Sequence, residues 1–190
     1  MFEIEQFVAD CHTALGETQP SLALKELLER TVERDRDIVA AVGEPAGADL
    51  TVLHAAADLT VLNAVWAPRM NLYPHNHNML AVIGIYGGQE DNTFWRRQAP
   101  GLVVNGGTEL HVRDAAILGP NVIHSVANPR RAYTAAIHVY AGDYLHAERS
   151  EWDPETLEER PFDFENARRV FADANAAWQR EQATLGAGGR

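Results

Sequence analysis

Tyr73-Pro74-His75-Asn76-His77-Asn78 and, further along, Gly119-Pro120-Asn121-Val122-Ile123-His124-Ser125-Val126-Ala127-Asn128 are the two stretches on which the fold turns. In a strand, residues i and i+2 point to one face, so His75 and His77 can offer two imidazoles to one ion. Pro74 suits a strand start, where the missing amide does no harm. In the second stretch a Gly-Pro turn leads into a strand whose His124 can face an interior. Around these stretches, from about residue 50 to residue 145, short β-rich runs recur: 59–66, 79–86, 92–97, 101–104, 109–112, 115–118 and 132–140. Turn residues separate them at Ala67-Pro68, Gly87-Gly88, Asn105-Gly106-Gly107, Gly119-Pro120 and Asn128-Pro129. Asn-Gly in particular reads as a hairpin. Many short antiparallel strands predict a sandwich or barrel, and a double-sheet jelly roll closes most edges at this size.

The flanks read differently. Residues 1–43 are predicted helical: Ile4, Phe7, Val8, Cys11 and Leu15 recur at helical spacing, as do Leu22, Leu24, Leu27, Leu28 and Val32. Gly16 can close the first helix, and Pro20 can open the second. A C-terminal helix is expected over 163–184, with Ala167, Val170, Phe171, Ala174 and Trp178 on the face that packs against the sheets. Disorder is expected only at residues 185–190.

The bulk numbers fit one globular domain spanning 1–190: 46% of residues are hydrophobic and 23% charged. A net charge of −11 disfavours nucleic acid and anionic lipid as partners. The basic residues form isolated pairs, not a stripe. No apolar run suits a membrane helix, and the acidic start Met1-Phe2-Glu3-Ile4-Glu5 is unlike a signal peptide. The single cysteine, Cys11, excludes an internal disulfide and fits a cytoplasmic location. A thiolate role is conceivable for it, but its place on a helical face favours packing.

The order of the two histidine stretches resembles the two motifs of the cupin superfamily: HxH, then one His followed four residues later by Asn, here His124 and Asn128. The resemblance implies a double-stranded β-helix holding one divalent metal ion on His75, His77 and His124. Where that family usually adds a Glu after HxH, this chain has Ala81 and Val82. Three neutral ligands leave the ion's full charge, which favours anionic ligands in the open positions. Glu90 is the nearest later carboxylate, assigned to a turn or to support behind the ligands.

Ala136-Ile137-His138-Val139-Tyr140 narrows the resemblance to cysteine dioxygenase and related thiol dioxygenases, which carry Ser-x-His-x-Tyr after the third metal histidine. That likeness implies that Tyr140 is the hydroxyl beside the metal and that His138 orients it. Ala136 stands where the family has serine, so the relay is one member short. The family also grips its substrate carboxylate with an arginine upstream of HxH. The matching stretch, Val52-Leu53-His54-Ala55-Ala56-Ala57-Asp58, has none. Arg69, Arg96 and Arg97 are the candidate substitutes, and His54 either enters the pocket or ends the first strand. Free cysteine is therefore expected to be a poor substrate, with a larger or less polar one contacting Trp66, Tyr73, Met79 or Trp95. Some family members have a cysteine that cross-links to the tyrosine. Here that place is Val82, which excludes the cross-link.

The implied activity is an iron(II)-dependent dioxygenase that takes a small thiol and dioxygen. Two alternatives stay open: a metal cupin acting on a non-thiol substrate (carbon–carbon cleavage or isomerisation), and a metal-binding cupin without turnover. Histidine ligands also suit zinc, nickel, copper and cobalt.

Overall fold

The computed structural model describes residues 1–187. It opens with three helices, α1 (Ile4–Leu15), α2 (Pro20–Val32) and α3 (Asp35–Val42). Gly16 ends α1 and Pro20 occupies the first turn of α2, as the sequence predicts. Their apolar stripes are buried: Phe7, Cys11 and Ala14 on α1, Leu24, Leu28 and Val32 on α2. Cys11 is fully buried, and burial followed by the charge of Asp10 pushes its thiol pKa up to about 12. It is a packing residue and not a nucleophile.

Eleven strands follow among the described residues: β1 (Asp49–Ala55), β2 (Thr60–Trp66), β3 (Asn71–Asn76), β4 (Ala81–Gly87), β5 (Gln89–Gln98), β6 (Gly101–His111), β7 (Ala115–Leu118), β8 (Ile123–Ala127), β9 (Thr134–Tyr140), β10 (Ser150–Trp152) and β11 (Glu159–Pro161). They form two antiparallel sheets, ordered β1-β2-β9-β4-β7 and β11-β10-β3-β8-β5-β6. This is the expected double-stranded β-helix. A final helix, α4 (Phe164–Ala187), buries Ala167 and lays Phe171 on the barrel beside Ala48 and Trp66. Residues 185–187, where disorder is expected, belong to this helix; residues 188–190 lie outside the described residues. No helix among the described residues is long and apolar enough to cross a membrane.

The central strands of the first sheet, β2, β9 and β4, are covered on both sides. Val61, Val82, Ile137 and Val139 point outward into the layer formed by α1 and α2, whereas Leu62, Ile83, Ala136 and Tyr140 point inward. Strands buried on both faces lose the apolar–polar alternation that reveals facing direction. Each aliphatic side chain sealed in this way contributes about 1.5–3 kcal/mol. Gly84 is where the fit is tightest: a Cβ there would lie 2.7 Å from Leu28 Cγ and 2.9 Å from Val32 Cγ1.

Three local expectations are corrected. Asn105-Gly106-Gly107 is not a hairpin turn. It lies within β6, opposite a register shift between Phe94 and Trp95, and Gly106 has φ +132°. The same dipeptide chemistry that favours a turn also accommodates a bulge. Pro74 does not start β3; it falls in a register shift between Leu72 and His75, the other place where a strand tolerates a missing amide. Before the helix expected over 163–184, the acidic stretch after Asp143 adds β10 and β11 to the second sheet, two strands that the sequence reading leaves out.

Candidate metal centre

The site lies between the sheets. β3 and β8 pair so that His75 and His124 are direct cross-strand neighbours, and His77 follows just past the end of β3. All three are buried, and one ligand atom from each lies within 4.8 Å of the others, so the trio can hold a metal ion. Nε2 of His124 is 3.1 Å from Nε2 of His77. The far sides of two rings are occupied. His75 Nδ1 is 3.0 Å from the Tyr73 carbonyl oxygen, which can only accept, so Nδ1 carries the proton and Nε2 is left open. His124 Nδ1 is 2.6 Å from Asn92 Oδ1. Burial, helped by the neighbouring imidazoles, holds His77 and His124 well below the ordinary histidine pKa. Burial likewise lowers His75, to about 4. The trio is therefore neutral at pH 7, the state a metal ion needs.

Facing the trio from the opposite sheet are His138 and Tyr140, on the inward face of β9. His138 Nδ1 is 3.0 Å from the Tyr140 hydroxyl, and the Tyr140 ring stands edge-on to His77 with centroids 5.1 Å apart. Burial, then the neighbouring Tyr144, raise the Tyr140 pKa well above its ordinary value, so the phenol keeps its proton. Tyr140 and Tyr144 stack with centroids 3.9 Å apart.

Glu90, fully buried on β5 and not in a turn, lies behind His138: its Oε2 is 3.6 Å from His138 Nε2, beyond hydrogen-bond distance. Trp66 Nε1 donates to the same oxygen at 2.7 Å, and Asn92 Nδ2 donates to Oε1 at 2.9 Å. Burial opposes ionisation of Glu90. The interaction with His138 and the donations from Asn92 and Trp66 outweigh it and hold the carboxyl below its ordinary pKa. Nothing local in the sequence marks this role, because Glu90 and Asn92 reach the site from a strand that precedes β9 by a long stretch of chain.

None of the three arginine candidates faces the site. Arg69 and Arg96 are exposed, and Arg97 forms a surface ion pair with Glu159. Arg149 does face it. The residue is 6% exposed, and its guanidinium lies between Tyr144 and Phe162, with Cζ 3.9 and 4.0 Å from their ring centroids. Those two rings neighbour His77 and His75 respectively. Nη1 donates to the Tyr144 carbonyl, while Nε and Nη2 have no hydrogen-bond partner among the described residues. The other buried acid nearby, Glu151, is taken up by Arg160, Asn166 and the Asp163 amide. The asparagines on either side of His77 hold Arg149 in place: Asn76 Oδ1 accepts from the Ser150 amide at 2.7 Å, and Asn78 Nδ2 donates to the Glu148 carbonyl at 2.9 Å. The histidine motif thus carries the clamp for an arginine that its own sequence does not announce.

Of the other residues expected near the site, Trp66 supports Glu90 and Met79 packs in the cluster containing Tyr140, whereas Trp95 bonds Ser125 in a different cluster. His54 does not enter the site; it lies on β1 near His12. His111 is exposed at the end of β6. Asn128 donates to the Trp66, Ala67 and Ala132 carbonyls and so ties β8 to the turn after β2.

No family model and no curated protein matches the chain. Solved structures do. A conserved protein with a double-stranded β-helix domain from Klebsiella pneumoniae subsp. pneumoniae is 20% identical, with a TM-score of 0.46, over 60% of this chain and 87% of its own. An RmlC-like cupin family protein from Methanocaldococcus jannaschii is 12% identical, with a TM-score of 0.45, over 54% and 86%. A cupin domain from Bordetella pertussis Tohama I is 19% identical, with a TM-score of 0.39, over 51% and 95%.

Proposed function

We propose that this chain is an iron(II)-dependent dioxygenase of the thiol dioxygenase type, acting on a small thiol that also carries a carboxylate. The observation that carries the proposal is the pairing of a neutral, buried three-histidine group with Arg149, a buried guanidinium that has two unused donors beside it. A buried cation with open N–H groups is costly unless an anion fills it. A planar fork of this kind matches a carboxylate in two-point contact.

His75, His77 and His124 would hold the ion, and a bound iron(II) would supply the electron transfer with dioxygen that side chains lack. Everything else falls to the chain. Arg149 binds the carboxylate and so fixes the far end of the substrate. Tyr140, kept protonated and aimed by His138, presents a hydroxyl at the near end. Tyr144, Phe162 and Phe164 exclude water and strengthen each charge–charge contact inside. Charge is balanced when the site is filled. The two positive charges of iron(II) and the one of Arg149 meet one negative charge on Glu90 and two on a thiolate–carboxylate substrate. The overall reaction adds both oxygen atoms to sulfur, RSH + O₂ → RSO₂H.

A non-thiol substrate is the reading that a missing arginine and a shortened relay would favour; Arg149 supplies the guanidinium, and the charge of Glu90 lies 3.6 Å behind His138. The test is to load metal-free protein separately with iron(II) and with zinc. Oxygen uptake and sulfinate are then measured with 3-mercaptopropionate, cysteine and cysteamine. Iron-dependent uptake of one O₂ per thiol is expected. Equal turnover with zinc, or no thiol-dependent uptake with iron, refutes the redox reading.

A further inference from the structure

Glu90 touches neither the three histidines nor Tyr140, yet polar chains run from it to both. We infer that Glu90 is a positioning residue that sets the proton pattern on both sides of the site. Through Asn92 it keeps Nε2 of His124 free for a metal, and directly it keeps Nδ1 of His138 free to accept the Tyr140 hydroxyl. The inference rests on the three-histidine reading of the site.

Donor and acceptor chemistry sets this pattern. Trp66 Nε1–H can only donate, so the oxygen it meets, Oε2, must accept. A carboxylate also accepts at Oε1, and that assigns the amide of Asn92: its NH₂ turns to Glu90 and its oxygen to His124, 2.6 Å away. An oxygen there accepts from Nδ1–H, which leaves Nε2 of His124 as the lone-pair side. On the other arm, His138 Nε2 has no hydrogen-bond partner among the described residues and lies 3.6 Å from Oε2. That distance is longer than a hydrogen bond, but it favours the tautomer that turns N–H toward the negative charge. The Nδ1 lone pair then faces Tyr140 at 3.0 Å and accepts its O–H. One buried carboxylate thus orders groups on both sheets.

Glu90→Gln makes the inference testable, because a glutamine has one accepting oxygen. Trp66 claims that oxygen, so the new NH₂ faces Asn92. The Asn92 amide must then flip and present N–H to His124, which pushes the His124 proton onto Nε2. Chelator competition with zinc should show affinity about 10- to 100-fold weaker, in the range seen when groups supporting metal ligands are removed. The double change Glu90→Gln with Asn92→Asp restores an acceptor facing both the introduced amide and His124. It should bring affinity back to within about threefold of the parent. A purely structural role for Glu90 predicts no such rescue. Long-range ¹H–¹⁵N spectra of the parent protein, recorded with and without zinc, should show His138 protonated on Nε2. Parent affinity in the single variant, absence of recovery in a folded double variant, or His138 protonated on Nδ1 would each overturn the inference. If the parent itself binds no zinc or iron, the three-histidine reading fails; the His138 tautomer in metal-free protein still decides the Glu90 arm.

Discussion

Replacing Arg149 with methionine separates substrate recognition from everything else the site does. Methionine keeps an unbranched, flexible stem and much of the volume between Tyr144, Phe162 and Phe164, so it limits any cavity. What goes is a cation with two open donors. Removing one partner of a buried, hydrogen-bonded charge pair costs about 3–5 kcal/mol. That converts to roughly 10²- to 10⁴-fold in binding. The loss should appear in kcat/KM for 3-mercaptopropionate and cysteine, mainly through KM, because the carboxylate is held alike in ground and transition states. Cysteamine, which has the thiol but no carboxylate, should change by less than about threefold. Stability of the substrate-free protein should fall by no more than about 1 kcal/mol, since the bond to the Tyr144 carbonyl is lost while an unsatisfied buried charge is removed. The assay is steady-state oxygen uptake with the three thiols, alongside a urea melt. An equal loss with cysteamine, or no loss with the carboxylate thiols, would refute the assignment of Arg149.

Three further outcomes follow. Changing His75, His77 or His124 singly to alanine should reduce bound metal to below about a tenth of the parent level, measured by elemental analysis after anaerobic purification. Stability of the metal-free protein should fall as pH drops from about 6.5 to about 4. His75 is held near 4 in the fold but titrates near 6.5 unfolded, so the unfolded chain binds more protons in that window. His75 alone accounts for about 3 kcal/mol of that loss, and His77 and His124 act in the same direction; urea midpoints across the range that stay flat would contradict it. Gly84→Ala should cost about 1–3 kcal/mol, because its Cβ drives into Leu28 and Val32 and lifts α2 off β4. Unfolding midpoints would show this, with metal content unchanged.

The sequence alone carried the β-rich centre, the helical flanks and the three histidines that come together, because each rests on short-range spacing. Gly16 and Pro20 punctuate the first helices through their own backbone preferences. HxH puts two imidazoles together by local geometry, and His124 announces itself by the Gly-Pro turn before it and Asn128 after it. His138 and Tyr140 were legible for the same reason, as an i, i+2 pair. Which way β9 faces was not, since α1 and α2 make its outer side as apolar as its inner one. The groups that complete the site were decided by tertiary structure. Glu90 and Asn92 come to the histidines only because β5 pairs with β8, and Arg149 arrives only because the chain returns as β10 to lie beside His75. An acidic stretch after the barrel gives a sequence no reason to bury its arginine. The clamp of Asn76 and Asn78 on its backbone, together with three aromatic rings, does.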